Sequence, residues 1–340
     1  MSKSDSSKSG NDFISHIKGM GFAGVYSKYG TILIFIGIFI IASLIDPVFL
    51  TGANLVNVLK QLVVVSLLAF GVTFVIILGH IDVSLGSVVA LTGTMAASIM
   101  HYTQNIFVAV LGGLALGIVV GFANGYIITK FNIPAFIMTL AMTTIARGTI
   151  LLYTGGRTIS GLGNFKVIGQ DSIGPVPISV IILLLFMAIS WVLLNKTKFG
   201  RQIYAVGGNE RAAQASGINT KKVVLLAFIF NGILTAVAGI VFMSRINSGQ
   251  PGGAVSYEFD AITAVVVGGT SLSGGTGTVV GTLLGAMIIG VINNLLNLMN
   301  VSSYWQQIVK LSLGLLFYWV SRTCLRCTLM PRRTRIIILF

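Results

Sequence analysis

The sequence is poor in charged residues. Only 9% of its 340 residues are Asp, Glu, Lys or Arg, whereas a soluble domain usually carries about 25%. Hydrophobic residues make up 55% of the chain, and glycine alone accounts for 41 residues. This composition excludes an ordinary soluble domain and predicts an integral membrane protein with closely packed helices.

Acidic residues are the scarcer of the two charged classes. Eight Asp and Glu stand against 22 Lys and Arg, so the net charge is +14. In a soluble protein such an excess would suggest nucleic-acid binding. Here the basic residues flank apolar runs, which indicates topology and contact with lipid headgroups instead. We therefore expect membrane lipid and no nucleic acid as a partner.

Residues that do chemistry are few. The two cysteines, Cys324 and Cys327, form a C-x-x-C pair, but no second pair or nearby histidine completes a metal site. No paired acids, metal-ligand cluster or nucleophile–base set is evident, and the nucleotide-binding pattern G-x-x-x-x-G-K-[ST] is absent. The sequence thus predicts neither an enzyme nor a metal or cofactor site in this chain.

Long apolar runs predict the architecture. A helix that crosses a membrane needs about 20 mainly apolar residues, and the charge-free runs predict an all-α polytopic domain over residues 30–321. The eighth of its ten predicted spans is short and ends in glycines, so it either crosses fully or is re-entrant. The predicted spans are 31–47, 61–79, 84–100, 106–127, 134–153, 178–195, 223–243, 257–270, 277–296 and 304–321.

The distribution of lysine and arginine predicts the orientation. With the polar segment 1–29 in the cytoplasm, sixteen basic residues face inward, six of them in the loop 196–222 and five in the basic tail 322–340. Three face outward: Arg157, Lys166 and Arg245. Because cytoplasmic loops are rich in Lys and Arg, both termini are predicted to be cytoplasmic. Segment 1–29 also lacks the apolar core of a cleaved signal peptide.

The largest internal cytoplasmic loop contains a short polar helix, "AVGGNERAAQASGI" at 205–218. Gly207 and Gly208 are predicted to break the preceding helix. Asn209 is a good N-cap, Glu210 suits the positive end of the helix dipole, and Gly217 is placed as a left-handed C-terminal residue. About seven residues are too few to be stable alone. The helix is therefore either an ordinary loop helix at the headgroups or one that another protein holds. Its other residues are small: Ala212, Ala213, Ala215 and Ser216.

Several stretches resemble one family. They are "YAVGGNERAAQASGI" (204–218), "HIDVSLGSVVALTG" (80–93), "FNIPAFIMTLAMTTIARG" (131–148) and "YEFDAITAVVVGGTSLSGGTGTVVGTLLGA" (257–286). From about residue 30 to 320 the chain is similar to bacterial ABC importer permeases of the ribose, galactose and xylose class, and most similar to ribose-type permeases. His80 stands where the family usually has glycine, and the tail after about residue 320 differs from the family's usual ending.

The resemblance implies an inner-membrane permease subunit that imports a monosaccharide, ribose or a similar pentose or hexose. ATP and Mg would bind a separate ATP-binding cassette subunit. The other partners would be an extracytoplasmic sugar-binding protein and a second permease chain, expected to be a homodimer partner. A galactose or autoinducer-2-type permease is an alternative. The coupling residues would be Gly207, Gly208, Asn209, Glu210, Ala212, Ala213, Ser216 and Gly217.

An ion-coupled secondary sugar transporter is the alternative from another class. It would need an ion-binding group near the midplane of the membrane. Asp82 is expected at the end of a turn, where with Ser84 it would cap the third span, and no acid is expected in the middle of a span. Arg147 lies deeper, and we expect it to face a polar partner or the cavity. This distribution argues against ion coupling.

A sugar path needs small and hydroxyl-bearing side chains. The candidates on the third span are Ser84, Ser87, Thr92 and Thr94, and those on the ninth are Asn293, Asn294 and Asn297. Each could instead make hydrogen bonds between helices. Arg245, Glu258 and Asp260 are expected on the outer surface, where they would either dock the binding protein or form a solvated rim.

Overall fold

The structure is a computed structural model, and it describes residues 22–302, 304–309 and 312. Within these ranges the chain is almost entirely helical. The α-helices are α1 Phe22–Ile45, α2 Gly52–Ile77, α3 Leu85–Thr103, α4 Ile106–Phe131, α5 Ala135–Thr154, α6 Ile178–Lys196, α7 Lys198–Gly208, α8 Glu210–Ala215, α9 Thr220–Ile246, α10 Tyr257–Val267 and α11 Val279–Leu298. Two 3₁₀ helices, Pro47–Leu50 and Gly163–Ile168, and a small hairpin of β1 (Ser172–Ile173) and β2 (Val176–Pro177) complete it.

Six helices are long and apolar enough to cross a membrane: α2, α4, α5, α6, α9 and α11. The stretch Gly30–Ile45 of α1 is apolar but shorter. The prediction of a helical polytopic membrane protein is therefore confirmed. Most of the predicted last span, together with segment 1–21, Cys324, Cys327 and the tail 322–340, lies outside the described residues.

Helices α2 and α9 form the centre of the bundle. In their most apolar stretches 89% and 72% of the residues are buried, against 22–33% for α4, α5 and α6. Helix α9 packs against α4, α3 and α2. Glycines permit this: a Cβ on Gly121 of α4 would collide with the backbone oxygen of Phe228 in α9. Their backbones therefore touch, as small residues allow in membrane helices.

Two non-helical segments lie inside the bundle. The first, residues 78–84, joins α2 to α3 and carries the buried Asp82 and Ser84. The second follows α9, where Gly249 pairs with Ile159 and Ala254 then packs against Gly86. Neighbouring helices make hydrogen bonds to both segments, because α5 contacts the first through Thr139 and the second through Arg147.

The second segment leads into the bundle, so α10 begins there and not at a surface. Helix α10 has 11 residues, which make about 16 Å and are too few to cross a bilayer. It starts beside the first turn of α3 and packs along α11 and α2. The predicted eighth span is therefore a broken element, in which irregular chain precedes the short α10 and the loop after α10 reaches Ile77 at the end of α2.

Candidate functional site

Helix α8 has the ends that its sequence predicts. The Asn209 side chain accepts a hydrogen bond from the Ala212 N–H at 3.0 Å, and Glu210 occupies the first turn. Gly217 is left-handed with φ +82°. The preceding helix, α7, ends at Gly208, so the predicted break lies at the second glycine of the pair and Gly207 is still helical.

Only one side chain of α8 is turned inward. Ala213 is 4% exposed, whereas the other five residues of the helix are exposed. Gln214 donates to the Thr220 hydroxyl at 3.1 Å, and the Ile218 N–H donates to the Ala213 carbonyl at 3.0 Å. The C-terminal end of α8 is thus fastened to the start of α9. Its remaining surface presents small and polar side chains that make little contact with the chain itself.

A groove of about 300 Å³ runs beside α8. It is lined by α8, the start of α9, the connection between α4 and α5, and His80 from the segment 78–84. The other polar lining residues include Asn132, Glu210 and Lys221. Burial lowers the pKa of His80, and the negative charge of Glu210 opposes that effect. His80 therefore places the segment 78–84, which also carries Asp82, next to α8.

Three glycines join α7 to the rest of the bundle, in a contact that we call the glycine junction (Ile77, Gly207, Gly274 and Gly275). The Gly275 N–H donates to the Ile77 carbonyl at 2.8 Å. A Cβ on Gly207 would collide with the same carbonyl oxygen, and one on Gly274 would lie 2.8 Å from the Gly207 oxygen. Nearby, the Tyr204 hydroxyl donates to the Gly277 carbonyl at 2.6 Å. The junction connects the α7–α8 unit to α2 and to the loop between α10 and α11.

The sequence predicts Asp82 near the end of a span. The structure places it just before α3, but that end of α3 lies deep in the bundle and Asp82 is buried. It accepts hydrogen bonds from the Ser84 N–H at 2.8 Å, the Ser84 hydroxyl at 2.6 Å and the Asn231 side chain at 2.8 Å. Asn231 lies about 17 Å along α9, near the middle of the helix. The Ser84 side chain makes no cap hydrogen bond to α3, and Asp82 binds Ser84 itself, the residue before the helix.

The other residues predicted for a sugar path do not converge. Ser87, Thr92 and Thr94 are buried on α3, and the Thr92 hydroxyl donates to its own helix at Val88 O. On α11, Asn294 exchanges two hydrogen bonds, at 3.0 and 2.8 Å, with Asn54 of α2. These contacts are hydrogen bonds within and between helices. Asn293 is half-buried, and Asn297 is exposed and accepts a bond from Gln306.

Of the three residues predicted for the outer surface, Arg245 lies at an open end of the bundle, whereas Glu258 and Asp260 lie deeper. Arg245 lines an open hollow of about 530 Å³ with Lys60 and Gln170, at the opposite end of α9 from α8. Asp260 is only 5% exposed, and Glu258 lies against Gly86 at the start of α3. The expectation of an exposed outer position is wrong for both acids, because the chain turns into the bundle before α10 begins.

Arg147 has the polar partners that its depth demands. One of its guanidinium nitrogens, Nη1, donates to the carbonyls of Pro251 and Gly253, both at 2.8 Å. These acceptors belong to the inward-turning segment before α10. The cost of an unpaired arginine in a span predicts a polar partner for Arg147, but it does not identify the backbone carbonyls that serve.

Comparison with known proteins gives a consistent family. The family model described as "Branched-chain amino acid transport system / permease component" matches residues 54–318. The ribose import permease protein RbsC of Bacillus subtilis is 45% identical over 296 residues, which cover 86% of this chain and 92% of the relative. RbsC of Haemophilus influenzae is 46% identical over 275 residues, covering 79% and 85%.

A more distant relative is the xylose transport system permease protein XylH of Haemophilus influenzae. It is 31% identical over 359 aligned positions, covering 87% of this chain and 95% of the relative. No solved structure matches the chain. Since the family model and the relatives both span most of the chain, this multi-pass protein of the bacterial inner membrane belongs to the family of transport-system permease components.

Proposed function

We propose that this chain is the membrane-spanning permease subunit of an ATP-driven ABC importer for a monosaccharide, with ribose as its substrate. The observation that carries the proposal is the 45–46% identity to ribose import permeases, which extends over 79–86% of the chain. Identity falls to 31% for the xylose relative and 33% for the L-arabinose relative. The ion-coupled alternative has no support among these relatives.

Helix α8 is the coupling element of this proposal. Five of its six residues are exposed, and the helix is fastened to α9 only at its C-terminal end. A helix with small side chains can enter a cleft of another protein closely. Behind it, the glycine junction passes any displacement of α7 and α8 to α2 and to the α10–α11 loop. Two distinct sites are then coupled through packed elements.

ATP and Mg belong to a separate cassette subunit, because this sequence has no G-x-x-x-x-G-K-[ST] pattern. The permease performs no reaction on the sugar. The exposed apolar side chains of α5 and α6 contact lipid or a second copy of the chain. An extracytoplasmic binding protein delivers the sugar at the hollow beside Arg245.

In this arrangement the α8 end of the bundle and both termini are cytoplasmic. The basic loop 196–222 and the tail 322–340 then lie on the side that is rich in Lys and Arg. The path residues Ser84, Ser87, Thr92, Asn293, Asn294 and Asn297 stay candidates for sugar contact. The buried ones among them would have to exchange a helix hydrogen bond for a sugar hydroxyl.

The proposal is tested by co-purification from native membranes in mild detergent, with wild type compared with Glu210→Arg. The cassette subunit should accompany wild type and be lost from Glu210→Arg. Lys166→Glu reverses an exposed charge far from α8 and should retain the cassette subunit. If no ATPase accompanies wild type, and the purified chain alone moves ribose in liposomes, the coupling proposal is refuted.

The substrate is tested separately in proteoliposomes that contain the assembled transporter and its binding protein. ATP-dependent uptake of labelled ribose should be competed by unlabelled ribose far better than by xylose or arabinose. Equal competition by all three sugars would refute the assignment of ribose while leaving the coupling proposal intact.

A further inference from the structure

The segment before α10 has an unusual backbone. Ala254 and Ser256, separated by one residue, have φ of +55° and +68°. Left-handed backbone is unfavourable for residues with a side chain, because the Cβ crowds the following carbonyl oxygen. Neither residue ends a helix that would explain it, since α10 begins only at Tyr257. Such a conformation persists only where the surroundings hold it.

Two neighbouring helices hold this segment. From α5, Arg147 donates to the carbonyls of Pro251 and Gly253. From α3, Gly86 offers a surface without a side chain, and a Cβ there would lie 2.5 Å from the Ala254 oxygen. The Gly86 N–H also donates to the Glu258 carboxylate, just beyond the segment. The strained residues are thus fixed between an arginine and the first turn of α3.

The segment lies deep in the bundle and is open on one side. Arg147 is well inside α5, with the helix continuing in both directions. Between the two strained residues Val255 is 63% exposed, and Phe259 one turn further is 43% exposed. One apolar side chain, Val255, therefore projects from between two strained residues at mid-depth, and the exposed Phe259 follows it in α10. A segment that served only to fill the bundle with packed protein would need neither left-handed backbone at Ala254 and Ser256 nor an exposed Val255.

We propose that residues 250–256 form a gate across the sugar path, closed in this structure, with Arg147 as its latch and Val255 as its apolar plug. The proposal rests on the proposed function, because the path is that of the imported sugar. Apolar constrictions close a polar path by excluding water. Release of the Arg147 contacts would let Ala254 and Ser256 relax and withdraw Val255.

The gate also has a connection to α8. Gly86, which supports Ala254, lies in the first turn of α3, and Asp82 accepts a hydrogen bond from Ser84 just before that turn. His80, two residues before Asp82, lines the groove beside Glu210 of α8. A displacement of α8 can therefore reach the support of the gate through residues 80–86.

The first test measures passive leak. Liposomes that contain the assembled transporter are loaded with labelled ribose, and its efflux is followed without ATP. Arg147→Met should raise efflux at least tenfold. Arg157→Met, which removes an exposed arginine outside the helices, should leave efflux at the wild-type rate. A tight Arg147→Met transporter that elutes as one species would overturn the proposal.

The second test uses the strain itself. Glycine tolerates left-handed backbone, so Ala254→Gly should stabilise the closed gate and slow ATP-driven ribose uptake roughly fivefold. It should also reduce the leak of Arg147→Met in the double variant. Gln104→Gly, at φ +51° after α3, should change neither rate. Unchanged or faster uptake by Ala254→Gly would overturn the proposal, even if Arg147→Met fails to assemble.

The two proposals fail differently. If wild type shows no ATP-driven ribose uptake, the proposed function fails. If wild type takes up ribose but either variant gives its overturning result, only the gate fails.

Discussion

Gly207 offers the sharpest test of how α7 is joined to the bundle. In Gly207→Ala the new Cβ would meet the Ile77 carbonyl oxygen and lie 2.9 Å from the Gly275 nitrogen. All these neighbours are backbone atoms in the glycine junction, so no side chain can rotate away. The two backbones must separate by roughly 1 Å to restore ordinary contact. Overpacking of this kind costs about 1–3 kcal/mol.

The neighbouring glycine supplies a matched control. Gly208 is exposed, and a Cβ there would meet nothing within 4 Å. Both glycines lie in α7, so alanine should favour the helix by up to about 1 kcal/mol at either position. Gly208→Ala should therefore be neutral or slightly stabilising, whereas Gly207→Ala should lower the melting temperature of the purified protein.

ATP-driven uptake should also distinguish Gly207→Ala from Gly208→Ala. Gly207→Ala should retain the cassette subunit in detergent, because the exposed face of α8 is unchanged, but lose most ATP-driven uptake. Gly208→Ala should retain both the cassette subunit and ATP-driven uptake. If the two variants have equal melting temperatures and equal uptake, the close backbone contact at Gly207 does not carry the coupling, and that reasoning is refuted.

Three further predictions concern buried polar groups. Asp82→Ala should lower the free energy of unfolding by about 2–4 kcal/mol, because it leaves the buried Asn231 amide without its acceptor; unchanged thermal stability in detergent would contradict this. Asn54→Leu and Asn294→Leu should each cost about 1–3 kcal/mol, and the double variant less than their sum, since neither amide is then left unpaired; additive losses in denaturation would contradict it. Burial lowers the pKa of His80 from 6.5, so the folded protein binds fewer protons than the unfolded chain just below that pH. Stability should then fall as the pH drops below 6.5, and His80→Gln should flatten this dependence in melting curves; an identical slope would contradict it.

The local parts of the structure could be predicted from the sequence. Asn209 and Gly217 set the ends of α8 through contacts with residues three or four positions away, so their residue types suffice. The apolar runs likewise predicted the six long helices, because each must satisfy its own backbone in lipid. Both signals depend on neighbours in the chain, not on the arrangement of the helices.

Depth within the bundle could not be predicted. Glu258 and Asp260 border an apolar run, and in a simple crossing that places them at a surface. The chain instead turns inward at Pro251, so the same border lies beside Gly86 of α3. Gly207 was misassigned for a related reason: a glycine that breaks a helix and one that admits a neighbouring backbone look alike in sequence.

The candidate path residues show a similar ambiguity. Hydroxyl and amide side chains in a span suit both a sugar and a neighbouring helix. The partner of Asn294 proved to be Asn54, which lies 240 positions away in the sequence. No local pattern links two such positions.

The central place of α2 and α9 has a consequence for biosynthesis. Residue 77 ends α2 and residue 220 begins α9, and translation at about 5–20 residues per second separates them by roughly 7–30 s. During that interval α2 is already in the membrane without the helix that will cover it. Gly71, which lies against Asn231 of α9 in the finished bundle, must then face lipid or the insertion machinery. The delay makes the time between the two helices a vulnerable stage of assembly, at which quality-control proteases would meet an incomplete core.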